Sequence, residues 1–125
     1  MYKNIDHCCL ILYCVFIYWL SNQQTLPTPH WVSFEDKFHH AGAYAVMACF
    51  AWRSFRHVLN LKPIILILVA MVFCSLYGAS DEWHQAFVPG RKPSFGDWLA
   101  DTIGAVLAGI AIYKYQYSKR LFSNC

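Results

Sequence analysis

An all-α, four-helix transmembrane bundle with both termini cytoplasmic is the fold class that three observations predict. The 125-residue chain is 58% hydrophobic and 14% charged, well under the ~25% charge of an ordinary soluble domain. Its apolar residues gather into four runs, roughly Ile5 to Leu20, Phe38 to Phe55, Pro63 to Gly78 and Trp98 to Tyr117, each near the ~17–25 residues that cross a hydrocarbon core. Its Lys and Arg residues are unevenly shared between the ends of those runs. Four spans fill the sequence, so residues 1–125 are expected to form a single membrane domain with no soluble one.

The first run follows Lys3 but is not trailed by a small-x-small cleavage site, since Ser21-Asn22-Gln23-Gln24 comes next, and it is expected to stay as an anchor. The loop from Ser21 to Asp36 is polar and carries Pro27 and Pro29. Trp31 and Phe34 within it suit the headgroup level. A short loop from Arg53 to Lys62 makes the second and third runs an antiparallel helical hairpin, and Pro63 suits a first helical turn, where its missing N–H costs nothing. The third run should continue as helix through Asp81 towards Ala86. Val88-Pro89-Gly90-Arg91 is a turn signal with a cation at its tip. The fourth run opens at Asp97 and shows Ala100, Gly104 and Ala108 on one stripe, beside Ala105 and Gly109. Small residues four apart let helices approach closely in a bilayer, so this stripe is expected to be a packing face inside the bundle.

Orientation follows from the cations. With a cytoplasmic N-terminus, Lys3, Arg53, Arg56, Lys62, Lys114, Lys119 and Arg120 lie inside, and Lys37, Arg91 and Lys92 outside. The acids sort oppositely: Asp6 is alone inside, while Glu35, Asp36, Asp81, Glu82, Asp97 and Asp101 lie outside. Basic ends of this kind attract anionic lipid, and nucleic acid is not an expected partner. Cys8, Cys9, Cys14, Cys49, Cys74 and Cys125 include no C-x-x-C pair and none in an outer loop. They are expected to act as small buried hydrophobes rather than as disulfides or zinc ligands.

Function is sought where charge meets bilayer-length apolar sequence, because ionisable groups there are costly to keep. Residues four apart stack on one helix face. That spacing gives Asp36, His40 and Tyr44 on the second span, Tyr77, Asp81 and Gln85 on the third, and Asp97 and Asp101 on the fourth. All three stripes fall at the same outer depth, so they are expected to face one another as one polar pocket with Arg91 over its mouth. Asp97 can equally serve as a helix N-cap, whereas Asp101, one turn inside a span, must be paired, solvated or protonated. Lys37 is expected to pair with a carboxylate or snorkel, Glu82 to point about 100° from Asp81 towards Arg91 or Lys92, and His39, Trp83 and His84 to stand aside.

Asp36-Lys37, His40, Tyr44, Tyr77-Gly78, Asp81-Glu82, Gln85, Phe87, Pro89-Gly90-Arg91, Asp97, Ala100, Asp101 and Gly104 together resemble the VanZ-like family of small bacterial membrane proteins. The resemblance is strongest over 36–109, and the D-E-x-x-Q-x-F-x-P-G-R string is its most specific part. In that family the position of Asp101 is often Asn, so this chain carries an extra potential charge. The resemblance implies a multi-pass protein of the bacterial plasma (inner) membrane, and a link to tolerance of the glycopeptide antibiotic teicoplanin.

Three function classes remain open. The first is a non-enzymatic envelope protein whose pocket, built on Asp36, His40, Tyr44, Asp81, Glu82, Gln85, Arg91, Asp97 and Asp101, binds a membrane lipid headgroup, a lipid-linked cell-wall precursor or a glycopeptide. The second is an intramembrane acid/base enzyme on a lipid-linked substrate, with Asp81 or Glu82 as acid or base, His40 as proton shuttle and Arg91 as phosphate clamp. No cofactor is expected for the first; a divalent cation held by the carboxylates and His40 belongs with the second. A proton relay comes last, because no titratable candidates are expected at the inner end of the spans. No oligomeric state follows from the sequence.

Overall fold

In the computed structural model, residues 2–23 and 33–123 are described, and they form four helices with no strand among them: α1 Tyr2–Ser21, α2 Ser33–Phe55, α3 Pro63–Gln85 and α4 Phe95–Ser123. The helices run alternately up and down, so α1 and α3 share one direction and α2 and α4 the other. Trp31, Pro27, Pro29 and Cys125 lie outside the described residues.

Three of the helices, over Lys3–Ser21, Pro63–Gln85 and Phe95–Arg120, are long and apolar enough to cross a membrane. The short first and third runs become adequate because each helix extends past its apolar stretch; α3 reaches Gln85, as the sequence predicts. At 23 residues α2 is equally long, but His39, His40 and Arg53 dilute its apolar character. Its neighbours compensate by enclosing it: Tyr44, Met47, Ala48 and Ala51 are buried at the centre of the bundle. Large apolar side chains such as Leu12, Val15, Leu68, Val72, Leu76 and Leu107 face outward, a covering that fits lipid and would be anomalous in water.

The tightest packing joins α2 to α4. Gly104 lies so close to the Ala41 main-chain carbonyl that even a methyl group would collide with backbone. The small-residue stripe is therefore an internal face, with Ala100, Gly104, Ala105, Ala108 and Gly109 all buried. A polar seam joins α3 to α4: Trp98 donates its ring N–H to the Ser75 carbonyl at 3.0 Å, and the Ser75 and Thr102 hydroxyls meet at 3.0 Å. The α1 helix packs on α2 and more lightly on α3, with no packed contact to α4.

At the end holding the α1 N-terminus the expectation of no titratable cluster is corrected. Asp6 is buried, accepting from Arg53 Nε at 2.9 Å and meeting His57 Nε2 at 2.7 Å, while His7 Nδ1 lies 2.5 Å from the Ser54 hydroxyl. The sequence held the signal, since Asp6-His7 starts one helix and Arg53-x-x-Arg56-His57 ends its antiparallel neighbour. The cysteines also need correction: the five described are all free, but only Cys74 is buried, and Cys8 and Cys49 lie on outward faces.

Candidate functional site

At the opposite end of the bundle, α2 and α4 begin and α1 and α3 finish. Pro63 sits in the first turn of α3, as its sequence position suggests. The α3–α4 connection folds back through a turn in which Arg91 N–H donates to the Val88 carbonyl at 3.1 Å. Gly90 has φ 85°, the left-handed position that a Pro-Gly type II turn requires. This turn returns Arg91 towards the bundle.

The three stripes do meet. His40 Nδ1 lies 2.9 Å from Asp101 Oδ1, and Asp101 is fully buried. Lys37 Nζ pairs with Asp97 Oδ1 at 2.8 Å. Gln85 Nε2 donates to Asp81 Oδ2 at 3.2 Å, one turn apart on α3. Asp101 fits because Gly78 on α3 has no side chain: a Cβ there would stand 2.9 Å from Asp101 Oδ2 and 3.4 Å from the Tyr44 ring. A glycine is what allows a carboxylate from α4 to lie against α3.

A cavity of about 290 Å³ opens beside these groups, lined by Asp36, His40, Tyr44, Asp81, Gln85 and Arg91 together with Ile17, Leu20, Ser21, His39 and Ala43. Six of the nine candidate residues thus line it. Glu82, Asp97 and Asp101 are not among the lining residues; they sit behind it, their carboxylates converging on His40, and Asp97 also on Asp36.

Four details differ from expectation. Glu82 is buried and accepts the Ser94 N–H at 2.7 Å, instead of reaching Arg91 or Lys92. A helix with neighbours on two sides has two inward faces, so 100° of rotation carried Glu82 to α4 and not to water. Asp97 is not the cap: α4 begins at Phe95, and Asp97 lies inside the first turn paired to Lys37. His39 lines the cavity rather than standing aside. Arg91 spends its guanidinium on the C-terminal carbonyls of α1, with Nη2 3.4 Å from Leu20 O and Nε 3.5 Å from Ser21 O, where the negative end of a helix dipole favours a cation.

Sequence reasoning also missed α1. Ile17, Leu20 and Ser21 form one wall of the cavity. Tyr13 and Tyr77 moor that helix through main-chain bonds, Tyr13 to the Ala43 carbonyl at 3.0 Å and Tyr77 to the Cys14 carbonyl at 2.7 Å. The only sequence hint was a pair of tyrosines within apolar runs, each needing a partner for its hydroxyl.

Among the described residues, two sets of side chains are close enough to share a cation: Asp36, His40 and Asp97, and His40, Glu82 and Asp101, the ligand atoms of each lying within 4.8 Å of one another. The Tyr44 hydroxyl, Glu82 Oε1 and Asp101 Oδ2 are buried without a hydrogen-bond partner. Buried polar atoms are nearly always satisfied, so this concentration marks the site as built around something further.

Comparison with curated proteins and with solved structures gave no significant match. The sequence profile described as VanZ/LLP1 matches residues 8–119, from the first turns of α1 through most of α4. The match spans all four helices and every candidate site residue, and the chain belongs to the VanZ/LLP1 family.

Proposed function

We propose that the cavity binds the polar headgroup of an amphiphile at the outer face of the bacterial plasma membrane: a lipid headgroup, a lipid-linked cell-wall precursor or an amphiphilic antibiotic of the glycopeptide kind. One observation carries this reading. A cavity lined by Ile17, Leu20 and Ala43 together with Asp36, Asp81, Gln85 and Arg91 offers apolar surface and fixed charge in one space, which matches the junction between an acyl chain and its headgroup. Its volume of about 290 Å³ falls at the low end of the roughly 300–1,000 Å³ of small-molecule pockets. A headgroup fits; an entire lipid does not. Family membership supports a role in the envelope and in glycopeptide tolerance.

The test is native mass spectrometry of lipids retained by the purified protein, followed by the same measurement on Asp81→Asn and Arg91→Ala. Both variants should insert and fold, yet retain at least ~10-fold less of the bound amphiphile, the loss of a charge-assisted contact being about 1.5–3 kcal/mol. Retention equal to wild type in both would end the proposal.

A second reading, acid/base catalysis on a lipid-linked substrate, is favoured by the His40–Asp101 pair, in which a carboxylate orients an imidazole on the cavity wall. Mass spectrometry of lipids incubated with the protein separates the two: new product supports catalysis, and intact bound lipid supports binding.

A further inference from the structure

We infer that His40, Glu82 and Asp101 form a binding site for a divalent transition-metal ion, with Mn²⁺ the best match. Three helices supply one ligand each, α2 through His40, α3 through Glu82 and α4 through Asp101, and their ligand atoms converge within 4.8 Å.

The need for a cation follows from charge. Leaving out Asp36, which is exposed, four acids are held in and behind the cavity lining, Asp81, Glu82, Asp97 and Asp101. Against them stand Lys37, already paired with Asp97, and Arg91, turned to the α1 carbonyls. Even a protonated His40 leaves the acids in excess. Negative charge held away from water must be neutralised by a proton or a cation, and a divalent ion does so for two carboxylates at once.

The unpartnered atoms agree. Glu82 gives Oε2 to the Ser94 N–H and Asp101 gives Oδ1 to His40, while Glu82 Oε1 and Asp101 Oδ2 have no hydrogen-bond partner. Asp101 is 0% and Glu82 8% exposed. Neither acid gains compensation from solvent.

Donor type selects the ion. Carboxylate oxygens suit Mg²⁺, Ca²⁺ and Mn²⁺, and an imidazole nitrogen turns the set from Mg²⁺ and Ca²⁺, which prefer oxygen alone, towards the first-row transition ions, so Mn²⁺ meets both requirements. Geometry narrows the choice: His40 Nδ1 and Asp101 Oδ1 are 2.9 Å apart. Two donors at that separation, each about 2.1 Å from an ion, subtend roughly 90° there, the angle between neighbouring octahedral positions rather than tetrahedral ones. Mn²⁺ accepts that angle, and Zn²⁺ is the natural competitor. Held by both Asp101 oxygens, the ion replaces the hydrogen bond between these two atoms and gives Oδ2 the partner it lacks, and it is bound by the neutral imidazole. The second set, Asp36, His40 and Asp97, shares His40, so the two positions exclude each other.

The site shares His40 with the cavity wall, so an ion there would offer open positions to a headgroup oxygen, but ion binding does not depend on the amphiphile. The test uses full-length protein in lipid nanodiscs, stripped with chelator and titrated with Mn²⁺ alone, free ion being followed by its paramagnetic resonance signal. Saturable binding of one ion per chain is expected, displaced by Zn²⁺, with affinity at least ~10-fold weaker in Glu82→Gln and Asp101→Asn. Asp6→Asn, at the other end of the bundle, should bind as wild type does. Absence of saturable binding in the wild type, or wild-type affinity in both site variants, overturns the inference. Glu82→Gln preserves shape, so its result stands even if Asp101→Asn misfolds. Mn²⁺ binding that persists in Arg91→Ala while amphiphile retention is lost separates this inference from the proposed function.

Discussion

Asp101 is where a single residue does most to define the site, because its carboxylate bridges a histidine on α2 and a glycine on α3. Asp101→Ala deprives His40 of its partner and leaves a gap beneath Tyr44, and the loss of a buried charge-assisted bond should cost about 1.5–3 kcal/mol. Asp101→Asn keeps the shape and one hydrogen bond and should cost clearly less. Thermal unfolding in detergent measures both. Gly78→Ala attacks the same contact from the other side: its Cβ would stand 2.9 Å from Asp101 Oδ2 and 3.2 Å from Asp101 Cβ. Overpacking of this kind costs about 1–3 kcal/mol, and the carboxylate is pushed from Gly78 towards His40. Site function should therefore fall in Gly78→Ala even where the protein still folds, which retained-lipid measurements would detect.

Among the elements, α2 and α4 form the fixed part of the bundle. Gly104→Ala places a methyl group against the Ala41 carbonyl, which as backbone cannot rotate away. Gly42 has open space around its position, so Gly42→Ala should be neutral or slightly stabilising while Gly104→Ala lowers the unfolding temperature sharply. Equal effects would remove the close approach from the account. Much at this scale was legible beforehand. Apolar runs located all four helices, the small-residue stripe gave the buried face of α4, and four-residue spacing brought Asp36, His40, Tyr44, Asp81, Gln85, Asp97 and Asp101 to one end. What stayed hidden depends on which helices are neighbours. A helical wheel says that Asp81 and Glu82 diverge; only the arrangement of α3 between its partners says that both directions are internal. The polar seam of Ser75, Trp98 and Thr102 was unreadable for the same reason.

For the molecule as a whole, the cation distribution makes a topological prediction. A cysteine at Lys92, in a background without native cysteines, should react with a membrane-impermeant maleimide from outside intact cells, while a reporter fused after residue 125 should be active only in the cytoplasm. Reversal of both would place the acid cluster on the cytoplasmic face and exclude an extracellular antibiotic as its ligand. At the same scale, α1 is held differently from the rest: Asp6 fastens one end to Arg53 and His57, and Arg91 engages the other. Asp6→Asn should loosen that helix and raise the rate at which Cys14 is alkylated, with little change in the α2–α4 contact. The acids that converge with His40 come from α2, α3 and α4, and α1 contributes none of them. Charge assembly and enclosure are thus separable properties of this architecture. A sideways swing of one lightly packed helix would unroof the chamber to the surrounding acyl chains without dismantling its floor, giving a water-insoluble guest a route of entry within the plane of the bilayer.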